Sequence, residues 1–197
     1  MPAPQVPYAP PRLPQALALA ALEAELTLLQ ARRSVRRFAG DAVPRALIEQ
    51  ALRIAGTAPS GAHRQPWYFV AIADPEKKRA IRAAAEREER DFYERRAPAE
   101  WLAALEPLGT DFEKTHLSDA PWLIVVFQRN QDVLADGREV KTYYAAESVG
   151  IAVGLLIAAL HRAGLATLTH TPAPMGFLRE LCGRPASERP YVILPVG

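Results

Sequence analysis

The chain has a single cysteine, Cys182, in 197 residues. One thiol excludes a disulfide framework and a thiolate metal cluster, and it fits a reducing compartment. A lone cysteine is a candidate nucleophile, but in RELCGRP it stands at an apparent helix end, where it is expected as a small packing group. Net charge is scarce as well. A balance of +2 at pH 7 is too small to argue for nucleic acid or an anionic membrane surface as partner. Long hydrophobic runs are missing: ALALAALEAELTLLQA is broken by Glu23 and Glu25 and follows prolines rather than basic residues, so it is not a secretory signal. No window reaches the roughly 20 uninterrupted apolar residues of a bilayer span. A cytoplasmic protein with no membrane partner is expected. The histidines are few (His63, His116, His161 and His170) and show no ligand spacing, so no metal centre is expected. His170 is expected to serve as a structural hydrogen-bonder. GTAPSG and GLLIAALHRAG lack the strand–GxGxxG–helix context, which disfavours a Rossmann-type dinucleotide fold.

What is present is an ordinary globular composition, 49% apolar and 23% charged, enough for one domain with its own core. MPAPQVPYAPPRLP, residues 1–14, is too proline-dense for a helix or central strand and is expected as an extended arm. The domain proper is expected to run over 15–197. Helical spacing covers 15–31, and a second helix is expected over 44–56, with Pro44 near its first turn and Leu47, Ala51 and Ile54 on one face. WYFVAIAD and PWLIVVFQ have the β-branched and aromatic content of buried strands, and LATLTHT and YVILPVG add two more. Pro75 opens a long charged helix to about residue 96, followed by a short amphipathic one from PAEWLAALEPLG. The span from Val140 to Ala163 is the longest helical candidate. It is small and apolar on nearly every face, which requires burial, with a second subunit as one possible cover. GFLRELCG predicts a short helix stopped by Gly183. Four buried strands among more helices indicate an α+β domain.

Chemistry concentrates in four places. RRSVRRF, 32–38, crowds guanidinium forks around Ser34 and Val35. That suits phosphate oxygens, and it equally suits a solvated turn. APSGAH, 58–63, offers small residues that let backbone lie against a flat ring, or simply make a loop. LTHTP sets Thr169, His170 and Thr171 at the end of a strand. Finally, Glu89 and Tyr93 lie one helical turn apart, and Lys114 can fold back beside them if the intervening segment packs as a lid. An acid, a phenol and an ammonium together complement an amino-acid zwitterion. Ordinary surface ion pairs would leave the same pattern.

Taken in order, RRSVRRF, AGTAPSGAHRQPW, the Glu89/Tyr93/Lys114 set, SDAPWLIVVF, GLATLTHTP and LCGRP with LPVG resemble the iodotyrosine deiodinase group of the flavin-dependent nitroreductase superfamily. The likeness runs from about residue 25 to the last residue. The arginine segment and the APSG loop point to the superfamily, and the Glu–Tyr–Lys lid, 85–117, points to the group. The resemblance implies a three-layer fold with a central, mostly antiparallel sheet flanked by helices, and FMN bound at a homodimer interface. It implies that Arg32, Arg33, Ser34, Val35 and Arg36 hold the FMN phosphate, ribityl chain and pyrimidine edge. Ser60 and Gly61 would contact the flavin, and the Ala62 amide the substrate phenolate. Thr169, His170 and Thr171 would line the isoalloxazine, with the Thr171 hydroxyl near N5 favouring one-electron steps. Glu89, Tyr93 and Lys114 would clamp the zwitterion.

The implied activity is reductive dehalogenation of halotyrosines, 3-iodotyrosine to tyrosine and iodide, with electrons delivered singly by reduced FMN. An external donor, NAD(P)H or a reductase, would reload the flavin. The alternatives on this scaffold are a general nitro or quinone reductase and a flavin-destroying enzyme that makes the lower ligand of vitamin B12. A non-enzymatic flavin- or halotyrosine-binding protein is a further alternative. Three departures from the group stand out. A proline-rich arm stands where animal members carry a membrane anchor. Thr-His-Thr replaces a run of threonines. The sequence ends at LPVG, where relatives continue into a tail that embraces the partner, implying a truncated chain or weaker dimer and flavin affinity.

Overall fold

The computed structural model describes residues 7–133 and 136–197. The chain divides into two compact units, one ending at Arg32 and the other running Arg33–Gly197. The boundary therefore falls after the first helix, not at residue 14. That helix, α1 (Gln15–Gln30), has no buried residue, and Leu17, Leu22 and Leu26 are all exposed.

The second unit is built on a three-stranded antiparallel sheet in the order β1 (Trp67–Ile72), β2 (Trp122–Arg129), β5 (Glu188–Val196). β2 is the central strand, and its alternation divides the core in two. Ile124 and Val126 pack with α2 (Arg45–Ala55) and α6 (Ala145–Arg162) on one face. Leu123, Val125 and Phe127 pack with Ile81 and Ala85 of α3 (Pro75–Asp91) and Leu178 of α7 (Phe177–Leu181) on the other. Successive strand residues point to opposite faces, so a strand covered on both sides must be apolar throughout. The result is a three-layer α+β fold, as the sequence implies.

Four details depart from the expectations. LATLTHT makes isolated bridges, Thr167 to Val196 and His170 to Ile193, rather than a strand. Opposite it in β5 stands Pro195, which has no N–H, so the ladder breaks there and Leu168 makes only a long bond to the Pro195 carbonyl at 3.4 Å. In α2 the buried face is Ile48, Ala51 and Ala55, while Leu47 and Ile54 stay half-exposed. Both triplets satisfy helical spacing through Ala51, and packing against α6 selects one. The long helix starts at Ala145, after two short strands that pair antiparallel, β3 (Gln131–Val133) with β4 (Glu139–Lys141). α6 is long and apolar enough to cross a bilayer, but it packs on α2 and the sheet, and its exposed residues are Ala146, Glu147, Ile151, Gly154 and Arg162. Lastly, the charged helix changes character: Asp74 caps α3 by accepting from Lys77 N at 2.7 Å, and after Asp91 the chain widens into a π turn, Phe92–Arg96. Such turns recur at functional sites.

One buried cation sets where β2 begins. Lys78 is 7% exposed, and its Nζ donates to Ala120 O at 2.7 Å and Pro121 O at 3.4 Å. Burial lowers its pKa. Lys78→Met should keep the stem's packing but strand two carbonyls, costing about 1–3 kcal/mol. The urea midpoint checks this, and an unchanged midpoint would reject it.

Candidate active site

The segment 85–117 folds back on itself as a return loop beside α3. From the π turn the chain enters α4 (Ala99–Leu105), a short 3₁₀ turn, and then Lys114 and α5 (His116–Asp119). α3 anchors the returning strand of this loop. Glu86 accepts from Lys114 N at 2.8 Å and from Arg82 Nε at 2.6 Å, and Arg82 also donates to Ser118 Oγ at 3.0 Å. Arg96 fastens the π turn: one guanidinium nitrogen donates to Glu88 O and Ala173 O, both at 3.0 Å, and Nε pairs with Asp91 at 2.8 Å. This return loop is thereby tied to the loop that follows Thr171.

Glu89, Tyr93 and Lys114 meet inside this loop. Lys114 is 6% exposed; its Nζ lies 3.4 Å from Glu89 Oε2 and 5.3 Å from the Tyr93 ring centroid, and it donates to Asp111 O. The Tyr93 hydroxyl donates to Thr110 Oγ1 at 3.3 Å. Above them Phe92 stacks edge-on against both Tyr93 and Trp101, at 5.6 and 5.1 Å between centroids. These groups share one cavity of about 460 Å³ with Arg36, Thr169, His170 and Thr171. It is large enough for a drug-sized ligand.

Other residues of the expected site lie elsewhere. Ser34 bridges Thr167, and Val35 N donates to Thr167 O at 3.1 Å, which sets the arginine segment beside the Thr169–Thr171 strip. Among the arginines at 32, 33, 36 and 37, Arg36 and Arg37 reach the cavity. Ser60, Gly61 and Ala62 do not line it. They form a tight turn at the start of α6, where Ser60 Oγ accepts from Gln65 N at 2.9 Å and Gly61 N donates to Ser148 Oγ at 3.4 Å. Gly61 is required there, because a Cβ would stand 2.5 Å from Tyr143 O. Ala62, at φ 49°, His63 and Gln65 hold left-handed conformations without being glycine, the kind of strain that gathers at ligand sites.

His170, expected as a structural hydrogen-bonder, makes its bonds through the backbone. Its backbone bonds Ile193 in both directions at 2.9 Å, but Nε2 is buried with no partner. Thr169 and Thr171 face outward and His170 inward, as extended backbone alternates. There it meets His116 edge to face, 5.0 Å between centroids. His116 Nε2 is likewise buried and unpartnered. Burial, reinforced by Lys114 and Arg36, pushes the His116 pKa down to about 4. Burial, His116 and Lys114 push that of His170 down to about 3. The Cys182 thiol, half-buried behind α7, is pushed up to about 11 by burial and stays protonated, consistent with packing.

Residues 29–197 match the Nitroreductase family. The chain belongs to this family. Within it, the chain is 54% identical over 166 residues to an iodotyrosine deiodinase of Haliscomenobacter hydrossis, covering 84% of this chain and 75% of that protein. It is 46% identical over 171 residues to iodotyrosine deiodinase 1 of Homo sapiens, covering 86% of this chain and 59% of the human protein. The chain thus spans three quarters of the bacterial relative and about six-tenths of the human one. A crystal structure of oxidized iodotyrosine deiodinase, bound to FMN and 3-iodo-L-tyrosine, superimposes with a TM-score of 0.79 at 34% identity, covering 88% of each chain.

Sequence reasoning named Glu89, Tyr93 and Lys114 but not Arg37, Phe92, Trp101, Thr110 and His116, which line the same cavity. Arg37 was visible inside RRSVRRF, and the aromatics carried a signal in their spacing across the lid. His116 carried none.

Proposed function

We propose that the protein removes halogen from halotyrosines by reduction, turning 3-iodotyrosine into tyrosine and iodide with FMN as its cofactor. The observation that carries the reading is the Glu89–Tyr93–Lys114 cluster, drawn together at 3.4 Å between acid and amine and sharing a cavity with the Thr169–Thr171 strip. The chain's own residues fit FMN: Arg36 and Arg37 offer guanidinium to anionic edges, and the exposed Thr169 and Thr171 hydroxyls stand along the wall. Reduced FMN supplies the two electrons that, with one proton, convert a carbon–iodine bond to carbon–hydrogen and release iodide.

The protein's part is binding and electrostatics. The direct Glu89–Lys114 pair opens to admit the zwitterion: Glu89 accepts the ammonium, Lys114 and the Tyr93 hydroxyl donate to the carboxylate. One ion pair is exchanged for two, inside a site shielded enough to make each contact stronger than in water. Phe92 and Trp101 cover the ring and exclude water from it. With FMN bound, the Thr171 hydroxyl would donate to the flavin and favour single-electron delivery. Arg32, Arg33, Ser34 and Val35, with Arg36, would hold the cofactor's phosphate, ribityl chain and pyrimidine edge.

A second copy of the chain completes the site. The Ser60–Ala62 turn lies outside the cavity in one chain, and the exposed apolar sides of α1 and α6 are suited to cover by a partner. In the homodimer this turn presents the Ala62 amide to the phenolate. An external donor, NAD(P)H or a reductase, reloads the flavin.

The test is iodide release from 3-iodotyrosine by anaerobically reduced, FMN-loaded protein. Reduction of nitroarenes with no iodide release would favour a general nitro or quinone reductase instead. Thr171→Ala should slow deiodination while preserving or raising nitroarene reduction; equal rates for both substrates in variant and wild type would reject its role.

A further inference from the structure

We propose that Glu86 is a positioning residue that sets the aperture of the zwitterion clamp through the backbone of Lys114. The proposal rests on the reading of Glu89, Tyr93 and Lys114 as that clamp; the bond that carries it rests on geometry. Glu86 Oε1 accepts from Lys114 N at 2.8 Å, and the same oxygen accepts from Arg82 Nε, one turn back on α3, at 2.6 Å. Arg82 also donates to Ser118 Oγ at 3.0 Å, and Ser118 Oγ donates to Thr115 O at 3.0 Å. The Lys114 carbonyl accepts from Leu117 N at 2.9 Å, and Leu117 is buried in one cluster with Ile81 and Ala85 of α3. Lys114 is therefore held at both its N–H and its C=O.

An ordinary ion pair along a helix does not account for this. Arg82 and Glu86 would serve α3 equally well with Lys114 elsewhere. Lys114 lies in no helix or strand, so its amide has no ladder partner, and in a residue 6% exposed that amide needs one. Glu86 supplies it. Burial of Ile81 and Ala85 fixes how α3 is rotated, and Glu86 and Glu89, three residues apart, are neighbours on its surface. α3 thus carries the acid of the clamp directly and, through Glu86, holds the root of the lysine. The gap between acid and ammonium is set along one helix instead of being left to the loop. With its root fixed, Lys114 opens the clamp only by swinging its side chain away from Glu89. The short gap that results fits an ammonium and a carboxylate borne on one carbon, as in an α-amino acid. One more carbon between them puts the carboxylate out of register with Lys114 while the ammonium stays at Glu89.

The test measures binding to FMN-loaded protein by flavin fluorescence quenching, with three ligands. They are 3-iodotyrosine, its β-homologue with one extra carbon before the carboxylate, and 3-iodotyramine, which has no carboxylate. Glu86→Ala should weaken 3-iodotyrosine about tenfold, the loss of one contact to a charged group. It should leave 3-iodotyramine unchanged, because that ligand uses Glu89 alone, and it should narrow the preference for the α- over the β-amino acid. Glu86→Gln keeps an oxygen that can accept from both Lys114 N and Arg82 Nε, so its affinity should stay within about threefold of wild type. Equal weakening of all three ligands by Glu86→Ala would mean a purely structural role and overturn the proposal. So would a Glu86→Gln variant as impaired as Glu86→Ala. If Glu86→Ala does not hold FMN, Arg82→Met carries the test: it removes the support behind Glu86 and keeps the carboxylate. Its preference for 3-iodotyrosine over 3-iodotyramine should fall, and an unchanged preference would overturn the proposal. Wild type with no such preference would reject the clamp and the proposal together. A wild-type preference that Glu86→Ala leaves intact would reject the positioning role alone.

Discussion

Lys114→Ala and Glu89→Ala should each weaken 3-iodotyrosine binding by more than about tenfold while FMN stays bound, since a lost hydrogen bond to a charged group costs about 1.5–3 kcal/mol. At about 1.4 kcal/mol per decade this corresponds to roughly ten- to a hundredfold in affinity. The shielding of the pair supports the upper part of that range. Lys114 is 6% exposed, and the Glu89 side chain 14%, so water cannot replace the missing contact as it would on an open surface. Removing either partner also leaves the other buried and unpaired, which adds to the loss. FMN retention separates this effect from collapse of the fold, because the arginine segment and the Thr169–Thr171 strip belong to other elements. Flavin fluorescence quenching measures the ligand's affinity. A simple iodophenol has no zwitterion and should bind wild type and both variants alike. If 3-iodotyrosine also bound all three alike, the clamp would be wrong and with it the choice of substrate.

Much of this was legible before the structure, for identifiable reasons. PWLIVVFQ could be read as a buried strand because burial on both faces forces apolar residues at every position. Glu89 and Tyr93 could be paired because helical spacing is local, and Lys114 because a short lid has few ways to return. What escaped depended on contacts between distant residues. LATLTHT has strand composition, yet the proline that breaks its ladder sits in β5. The α2 face was ambiguous between Leu47 and Ile48, and only α6 resolves it. The Ser60–Ala62 turn was placed in the site by resemblance, while one chain holds it outside the cavity. His116 and His170 are far apart in sequence, each unremarkable alone, and only the fold brings them into contact.

The same pair should make the protein acid-sensitive in a particular window. Their folded pKa values are about 4 for His116 and about 3 for His170, below the ordinary 6.5. Between those limits the unfolded chain binds protons that the folded one refuses. Stability therefore rises with pH across this range. It is fully present above pH 6.5 and is lost as pH falls towards 4. Each histidine contributes up to about 1.4 kcal/mol per pH unit within the window, so the pair is worth on the order of several kcal/mol by pH 4.5. Carboxylates add to acid unfolding, but mostly below pH 5, near their own titration. Urea midpoints between pH 7 and 4.5 distinguish the two sources. Wild type should weaken steeply from pH 6.5, whereas His170→Phe, which keeps a ring against His116 and removes one titrating group, should follow a shallower line. Parallel lines would mean that this ring does not titrate between the two states, and that its burial as a neutral imidazole has been misread.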